Sequence, residues 1–537
     1  MVAIESVSRP YWFQQPSDKM IPLDLQAGIA SFVVIVYLYL KRRKHRRLPL
    51  PPGPKKLPLI GNMLDMPTSF EWKTYHRWCK ELGSDIIHLD VAGTSIVVLD
   101  TAEAATELLE KRSSIYSGRA RMPMMNELMG WSFDFGFMPY GDYWRQHRRL
   151  MHQTFHPTAA LRFQPYERKA THRLLRRLLE EPDNLISHLR YMAGETVISI
   201  AYGLEVQPKN DLFIETAEKG VHPLVAAGVP GAFLVDVIPA LKYVPDWMPF
   251  AGFKRKAKEW RKLAMTMVDV PFEAAKRKIV SGEFTPSFTS YSLERMDETS
   301  DLKLQEYVIK STAGTMFAAG SDTTVSAIAS CVLGLLTNPE ALKKAQQEID
   351  EVVGSEQLPT FDDQDSLPFV TAIVKETLRW RDVTPIAVPH LLHADDEYKG
   401  YRIPAGSIII PNAWAMLHNE TVYPDPFEFK PERFIKDGKL NPEAKDPAHA
   451  AFGFGRRICP GRYMAFSAVW IAVASIVAAF DITKAVDENG EVIEPSHEYL
   501  SALVSMPLPF RCSIKPRTAK AEALIQGTVD EEYYTQF

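Results

Sequence analysis

The chain has 537 residues, of which 46% are hydrophobic and 24% are charged, and its formal net charge is −4 at pH 7. These values describe an ordinary globular protein with a sizeable core, in one large or two medium domains, and they argue against nucleic acid as a partner. The four cysteines are widely separated with no CxxC pair, which argues against a disulfide framework and a tetrahedral zinc site.

The N-terminal region predicts a membrane anchor. Residues 25–40 are uncharged and mostly apolar, and six of the next seven residues, 41–47, are Lys or Arg. A cleavable signal peptide is the alternative, but it would carry its positive charge before the apolar segment. The positive-inside rule places residues 1–24 in the lumen and the remainder of the chain in the cytosol.

A stiff linker and a hairpin follow the anchor. Four prolines in Leu48 to Pro54 favour an extended backbone, so we take residues 41–54 as a basic and proline-rich linker. Ile86 to Leu99 reads as two strands around Ala92-Gly93-Thr94, and Thr101 to Arg112 as an amphipathic helix.

Most of the remaining chain predicts helices. A helix is expected to begin near Asp142, and a long apolar helix should run from about Tyr307 to Leu336. Asn338 reads as the N-cap of a helix from Glu340 to Val353, with Pro339 in its first turn. Pro368 introduces the next helix.

The C-terminal part contains short strands, at Tyr398 to Ile403 and at Ser407 to Ile410. Residues 516–537 form a polar tail that we expect to be disordered after Arg517. The predicted fold is therefore mainly α (α+β): a helical body, residues 55–515, with small β-sheets, preceded by one transmembrane helix.

The segment FGFGRRICPG, residues 452–461, combines one cysteine with several glycines. Glycine lets the backbone approach a flat cofactor, and a helix beginning near Arg462 would direct its positive end at Cys459 and lower the thiol pKa. Arg457 could reach a carboxylate of such a cofactor. Taken alone, Cys459 would instead indicate a buried structural cysteine in a glycine turn.

Other segments pair residues at helical spacing. Glu376 and Arg379 lie three residues apart in KETLRW, and Arg433 follows in PERF. In isolation such a pair is usually a solvated helix pair. AAGSDTT, residues 318–324, places an acid and hydroxyls inside the long apolar helix, where a kink satisfied by a threonine is the structural alternative. Trp144 and Arg148 share one helix face.

Taken in their order along the chain, these segments resemble the cytochrome P450 family over nearly its whole length. The resemblance implies that Cys459 is the proximal thiolate ligand of the iron of haem b. It implies that Trp144 and Arg148 bind a haem propionate, and that the remaining haem-binding residues are those of the cysteine loop: Phe452, Gly455, Arg457 and Gly461.

The resemblance also implies roles for the paired residues. Glu376, Arg379 and Arg433 form a structural triad that locks the loop beneath the haem. Thr323 donates a hydrogen bond to the oxygen being activated, and Asp322 relays protons.

The same resemblance implies partners. Electrons come from NADPH through a diflavin reductase, and the oxidant is dioxygen. We expect the reductase to dock on Arg145 and Arg149, although a solvated basic helix is an equal reading. The protein is expected in the endoplasmic reticulum membrane, single-pass, with its catalytic domain cytosolic.

An apolar, proline-broken segment, Val225 to Phe253, predicts a second contact with membrane lipids. Trp247 would lie at the interface, with Lys254-Arg255-Lys256 on headgroups. Core packing is the alternative.

The substrate pocket should be walled by Arg119 to Tyr140, the helix around Phe317, Val383 to Val388, and Leu503 to Met506. These walls favour an apolar small molecule, with Asn126 and Glu127 as candidate polar contacts. The chain resembles fungal members that hydroxylate or otherwise oxidise secondary metabolites such as terpenoids, polyketides or indoles. The alternatives are a haem enzyme catalysing rearrangement, desaturation or dehydration, and a membrane haem carrier or sensor.

Overall fold

The computed structural model describes residues 48–228 and 233–528. Residues 48–50 and Glu397–Arg402 belong to a small unit, and the rest of the described chain forms a large one. The predicted lumenal tail, the anchor and residues 41–47 lie outside the described residues, so the N-terminal predictions remain predictions.

Helices make up most of the large unit. The α-helices are α1 (Glu71–Leu82), α2 (Ala102–Ala105), α3 (Ser113–Tyr116), α4 (Asp142–Phe155), α5 (Pro157–Ala160), α6 (Gln164–Glu180), α7 (Leu185–Tyr202), α8 (Leu212–Ala227), α9 (Leu234–Val237), α10 (Gly252–Ser281), α11 (Phe288–Glu294), α12 (Leu302–Thr337), α13 (Pro339–Val352), α14 (Pro368–Trp380), α15 (Ala413–Leu417), α16 (Ala448–Ala451), α17 (Arg462–Ala479) and α18 (Ala519–Gly527).

Shorter helical turns connect these elements. The π-helical turns are Thr106–Lys111 and Pro123–Leu128, and the 3₁₀ turns are Trp131–Phe133, Leu161–Phe163, Pro182–Asn184, Pro239–Tyr243, Phe361–Ser366, Pro431–Phe434 and Gly455–Arg457.

The strands are short: β1 (Ile86–Val91), β2 (Thr94–Leu99), β3 (His390–Leu391), β4 (Asp396–Tyr398), β5 (Tyr401–Ile403), β6 (Ile408–Pro411), β7 (Ile435–Lys436), β8 (Lys439–Leu440), β9 (Phe480–Lys484) and β10 (Cys512–Pro516). One sheet has the order β1-β2-β6-β3, and the other strands pair as β4-β5, β7-β8 and β9-β10. The predicted α+β class, with a mainly helical body, is confirmed for the described residues.

The predicted hairpin is confirmed. Ile86 pairs with Leu99, and Val91 with Thr94. Its turn residues, Ala92 and Gly93, both have positive φ, which suits the two-residue turns that connect twisted antiparallel strands.

The prediction of one strand over Tyr398 to Ile403 is wrong. The segment contains the end of β4 and all of β5, separated by Lys399 and Gly400, which both have positive φ. Two successive left-handed residues reverse the chain, so the segment forms part of a hairpin instead of a single strand. The strand predicted over Ser407 to Ile410 is confirmed to within one residue as β6.

The long apolar helix is confirmed as α12, which begins before the predicted start. The Asp301 side chain caps it, accepting hydrogen bonds from the N–H groups of Lys303 and Leu304 at 3.0 and 3.1 Å. The helix predicted from Thr101 begins as expected, with Thr101 as its N-cap, but becomes π-helical from Thr106.

The predicted capping role of Asn338 is wrong. Its side chain makes no cap hydrogen bond to α13, although Pro339 does stand in the first turn. Instead Asn338 Nδ2 donates to Gly334 O at 2.8 Å and satisfies a carbonyl near the end of the preceding helix.

The prediction of a disordered tail after Arg517 is wrong for the described part. The Thr518 side chain accepts a hydrogen bond from Ala521 N–H and begins α18. Ile525 is fully buried in the core that also contains α6 and α17. An apolar face of only a few residues suffices to dock a short helix.

Two core helices position the site. Among the described residues, α12 and α17 are the helices long and apolar enough to cross a membrane by length and composition, and both are largely buried in the body. They belong to one hydrophobic cluster with α7, α13 and α14, so their apolar character reflects core packing.

Candidate active site

A cavity of about 370 Å³ lies between α12 and the loop that carries Cys459. The predicted walls contribute to it: Arg119 and 134–137, the part of α12 around Phe317, four residues of 383–388 (Val383, Thr384, Ala387 and Val388), and Leu503 with Val504. Helices α7 and α8 add further apolar residues, among them Met192, Val197, Val221 and Leu224. The cavity therefore suits an apolar molecule of small size.

The cysteine loop places one thiol at this cavity. Cys459 N–H donates to Phe452 O at 2.8 Å, and the Gly461 N–H donates to the thiol. The other three cysteines, Cys79, Cys331 and Cys512, are buried away from it.

Burial opposes the predicted lowering of the Cys459 pKa. Burial raises the pKa of the Cys459 thiol, and the Gly461 N–H with the guanidinium groups of Arg148 and Arg462 only partly opposes this effect. A helix does begin at Arg462, but burial outweighs its positive end.

The glycines of the loop have different roles. Gly455 has a φ of +54°, and a Cβ there would lie 2.0 Å from Leu109 O, so close packing explains this glycine. Gly461 lines the cavity, and a Cβ there would meet no atom within 4 Å. The loop therefore leaves open space on its cavity side.

The basic residues predicted to hold the cofactor lie together. Arg457 lines the cavity and donates to the carbonyls of Ser117 at 2.8 Å and Met138 at 2.7 Å. Its guanidinium also lies over the Trp144 ring, 4.4 Å from the centroid. Arg148 is half-buried near Cys459 and has no hydrogen bond or ion pair within the described residues.

The acid and alcohol of α12 line the same cavity. Thr323 Oγ1 donates to Ala319 O at 2.7 Å, as expected for a helical threonine. Asp322 Oδ1 lies 3.9 Å from Arg190 Nε. Burial raises the pKa of Asp322, and Arg190 partly opposes this.

The triad forms away from the cavity. Arg379 Nε and Arg433 Nε donate to Glu376 Oε2 at 2.7 and 3.0 Å, and Lys430 N–H donates to Oε1 at 2.8 Å. Arg379 also donates to Pro426 O at 2.7 Å. Glu376 and Arg379 are fully buried, so the solvated-pair reading is wrong.

Three further polar residues line the cavity; Arg119 and Asp134 belong to a predicted wall, but none of the three was predicted to have a role of its own. Arg119 donates to Gly136 O and Val388 O at 2.8 and 2.7 Å. His390 bonds through Nδ1 to Tyr116 O at 2.8 Å, and burial, aided by Arg119, lowers its pKa well below the ordinary value. Burial raises the pKa of Asp134 to about 7. Asp134 and His390 are ionisable residues inside apolar segments, a signal visible in the sequence.

The candidate polar contacts Asn126 and Glu127 do not line the cavity, so this prediction is wrong. Glu127 accepts hydrogen bonds from Arg121 at 2.6 Å and Lys242 at 2.7 Å. These two cations satisfy the carboxylate.

The residues present fit a haem held through sulfur. One thiol faces a cavity that has open space at Gly461. Among the described residues, the half-buried guanidinium of Arg148 has no acceptor, and a cofactor carboxylate would supply one. Arg119 and Arg457 line the same cavity and add N–H donors.

Comparisons with known proteins agree with this fit. The family model "Cytochrome P450" matches residues 51–512. "Cytochrome P450 monooxygenase 98" of Postia placenta is 49% identical over 94% of this chain and 98% of its own. "Cytochrome P450 monooxygenase ple1" of Rhodocybe pseudopiperita is 47% identical over 91% and 92%. "Tryptamine 4-monooxygenase" of Psilocybe cyanescens is 42% identical over 91% and 97%.

Because these matches cover nearly the whole chain, the chemistry common to the family also applies to this protein. The family uses haem b with a cysteine thiolate ligand, and its members are oxidoreductases. The chain is a member of the cytochrome P450 family.

Proposed function

We propose that this protein inserts one atom of dioxygen into an apolar small molecule and releases the other as water. The observation that carries the proposal is a single apolar cavity that joins Cys459 to Asp322 and Thr323. Haem, when bound, supplies the activation of dioxygen and one-electron chemistry. The presence of the acid Asp322 and the alcohol Thr323 argues against rearrangement or dehydration, because those reactions do not require protons to be delivered to dioxygen.

The chain's own residues then have separate tasks. Cys459 holds the cofactor, and Trp144, Arg148 and Arg457 bind its carboxylates. Phe452, Gly455 and Gly461 shape the loop. Asp322 and Thr323 hold and move protons at the cavity.

The triad is proposed to act through the loop rather than at the cavity. Arg433 donates to Pro424 O at 2.8 Å and Arg379 to Pro426 O, so Glu376 fixes a segment that precedes the cysteine loop in the chain. We assign these three residues to haem incorporation and stability.

The substrate is proposed to be a secondary metabolite of a fungus, of the terpenoid, polyketide or indole type. The support is the fungal origin of the relatives, one of which is named for tryptamine. The cavity's Met, Phe, Val and Leu side chains favour an apolar skeleton.

The basic surface beside the cysteine loop supports docking of an NADPH-dependent diflavin reductase. Arg145 is exposed and lies over the Tyr140 ring, and Arg456, from the loop itself, donates to the Tyr140 hydroxyl at 2.6 Å. Arg149 is exposed on the same helix as Arg145. This surface therefore offers a reductase a short route to Cys459.

Charge reversal tests the docking surface. The Arg145→Glu and Arg149→Glu double variant should slow reductase-supported turnover at low salt, with a smaller effect at high salt. Reversal of Arg277 and Lys278, exposed on α10, is the matched control. Equal rates for both variants would reject docking at this surface.

The segment before α10 supports a second membrane contact, in addition to the proposed endoplasmic reticulum anchor. Phe250 is 99% exposed at a positive φ, and Trp247 is 81% exposed. Phe253, by contrast, packs partly buried against the core. Lys254 pairs with Asp246 at 2.8 Å, so the exposed Arg255 and Lys256 are better placed for headgroups.

Lipid quenching tests this contact in the full chain. Brominated lipids should quench the part of the tryptophan fluorescence that is lost in Trp247→Phe. If that part is unquenched, the segment does not enter the membrane.

Isotope labelling tests the proposed reaction. Membranes bearing the protein and a diflavin reductase are incubated with NADPH, labelled dioxygen and a fungal metabolite extract, with Cys459→Ala as the control. A product that carries the label and is made only by the unmutated protein supports monooxygenation. An unlabelled product that requires Cys459 would instead indicate desaturation or rearrangement.

A further inference from the structure

The carboxylate of Asp322 has a solvent-side neighbourhood that the proposed function leaves unassigned. Asp322 projects from α12 at the cavity, and Arg190 on α7 approaches it to 3.9 Å. On its other side, Arg190 Nη1 donates to Glu218 Oε1 on α8 at 3.0 Å. One guanidinium is thus shared between a cavity acid and an acid on a different helix.

The two acids differ in exposure. The Glu218 side chain is 54% exposed, whereas that of Asp322 is 22% exposed and that of Arg190 lies between them at 35%. The series leads from solvent to the cavity across three helices. Arg190 Nε is buried and donates no hydrogen bond within the described residues, so the contact with Asp322 is ionic and loose.

The charge balance favours proton uptake at Asp322. The titratable and charged groups that face it are Arg190 on α7 and Glu218 and His222 on α8. The guanidinium of Arg190 serves two acids, and burial penalises the charge on Asp322 more than that on exposed Glu218. Burial and Glu218 raise the pKa of Asp322, while Arg190 lowers it.

We propose that Arg190 is a positioning residue that sets the proton affinity of Asp322, and that Glu218 marks the point where protons enter from solvent. The inference rests on the proposed function, since insertion of one oxygen atom with release of water consumes two protons and two electrons per dioxygen. Those protons must reach a cavity that is otherwise lined mostly by apolar side chains.

The two neighbours act on Asp322 in opposite directions, which gives a sharp test. Arg190→Leu removes a cation and should raise the pKa of Asp322 by about one pH unit, whereas Glu218→Gln removes an anion and should lower it. Infrared titration of the carboxyl band that disappears in Asp322→Asn reports this pKa without turnover. Arg190→Lys should restore the original value.

Glu215→Gln is the matched control, because Glu215 is an exposed acid on α8 that pairs with Lys219 instead. It should leave the Asp322 band unchanged. Shifts in the same direction for Arg190→Leu and Glu218→Gln, or none in either, would overturn the proposal.

Measurements of turnover provide an independent test of the role of Arg190. Arg190→Leu should divert severalfold more NADPH into hydrogen peroxide, and the alkaline limb of its rate profile should move to higher pH, opposite to Glu218→Gln. If the unmutated protein makes labelled product and the limbs do not move, this inference fails while the proposed function stands. If neither the unmutated protein nor any variant makes labelled product, the proposed function fails. The infrared result still decides the role of Arg190.

Discussion

The buried carboxyl of Glu167 makes the stability of this protein depend on pH. Glu167 lies on α6 with 1% of its surface exposed, and it bonds to the Ser467 hydroxyl on α17. Its other oxygen, Oε1, has no hydrogen-bond partner within the described residues. Burial raises the pKa of Glu167 from its ordinary value of 4.5 to about 8.

The sign follows from proton binding. Between these two pKa values the native state holds a proton that the unfolded chain has released, so stability falls as pH rises. The loss is about 1.4 kcal/mol per pH unit and reaches roughly 5 kcal/mol once Glu167 ionises. Glu167→Gln keeps the shape and removes the titration.

Urea unfolding of the detergent-solubilised full chain measures this effect. The free energy of unfolding of Glu167→Gln, relative to the unmutated protein, should rise steadily from about pH 5 to about pH 8. Glu180→Gln, at the exposed end of the same helix, is the control and should give a flat difference. A flat difference for Glu167→Gln as well would refute the reasoning.

Three other substitutions follow from the packing. Glu376→Ala leaves the buried guanidinium of Arg379 and the partly buried guanidinium of Arg433 without their carboxylate and should cost about 3–5 kcal/mol, measured by urea unfolding; a loss below about 1 kcal/mol would contradict the buried Glu376–Arg379 pair. Gly455→Ala forces a Cβ to within 2.0 Å of Leu109 O and should reduce the haem bound per protein, measured by pyridine haemochrome assay; full haem content would show that the loop adapts. Ile525→Ala should lower stability by about 2–5 kcal/mol, measured by urea unfolding, if α18 is docked as described, and an unchanged protein would indicate that the tail does not contribute.

The sequence predicted those elements that depend on local patterns. The hairpin at Ile86–Leu99, the start of α4 at Asp142 and the start of α17 at Arg462 all follow from alternation, turn residues and charge placement. The cavity walls were also predictable, since the motif order identified the family.

The sequence failed where a competing partner or burial in the folded chain decides the outcome. Asn338 has the right position for an N-cap, but a carbonyl of the preceding helix competes for its side chain. Glu127 has the right location for a substrate contact, yet Lys242, more than a hundred residues away, satisfies it. Likewise the lowering of the Cys459 pKa expected from the helix N-terminus is outweighed by burial, and the burial of a residue is determined only in the folded chain.

Iron K-edge X-ray absorption of the haem-loaded protein tests the central assignment most directly. The account predicts a sulfur atom in the coordination shell of the iron, supplied by Cys459 and lost in Cys459→Ala. A shell of nitrogen and oxygen atoms alone in the unmutated protein would contradict it.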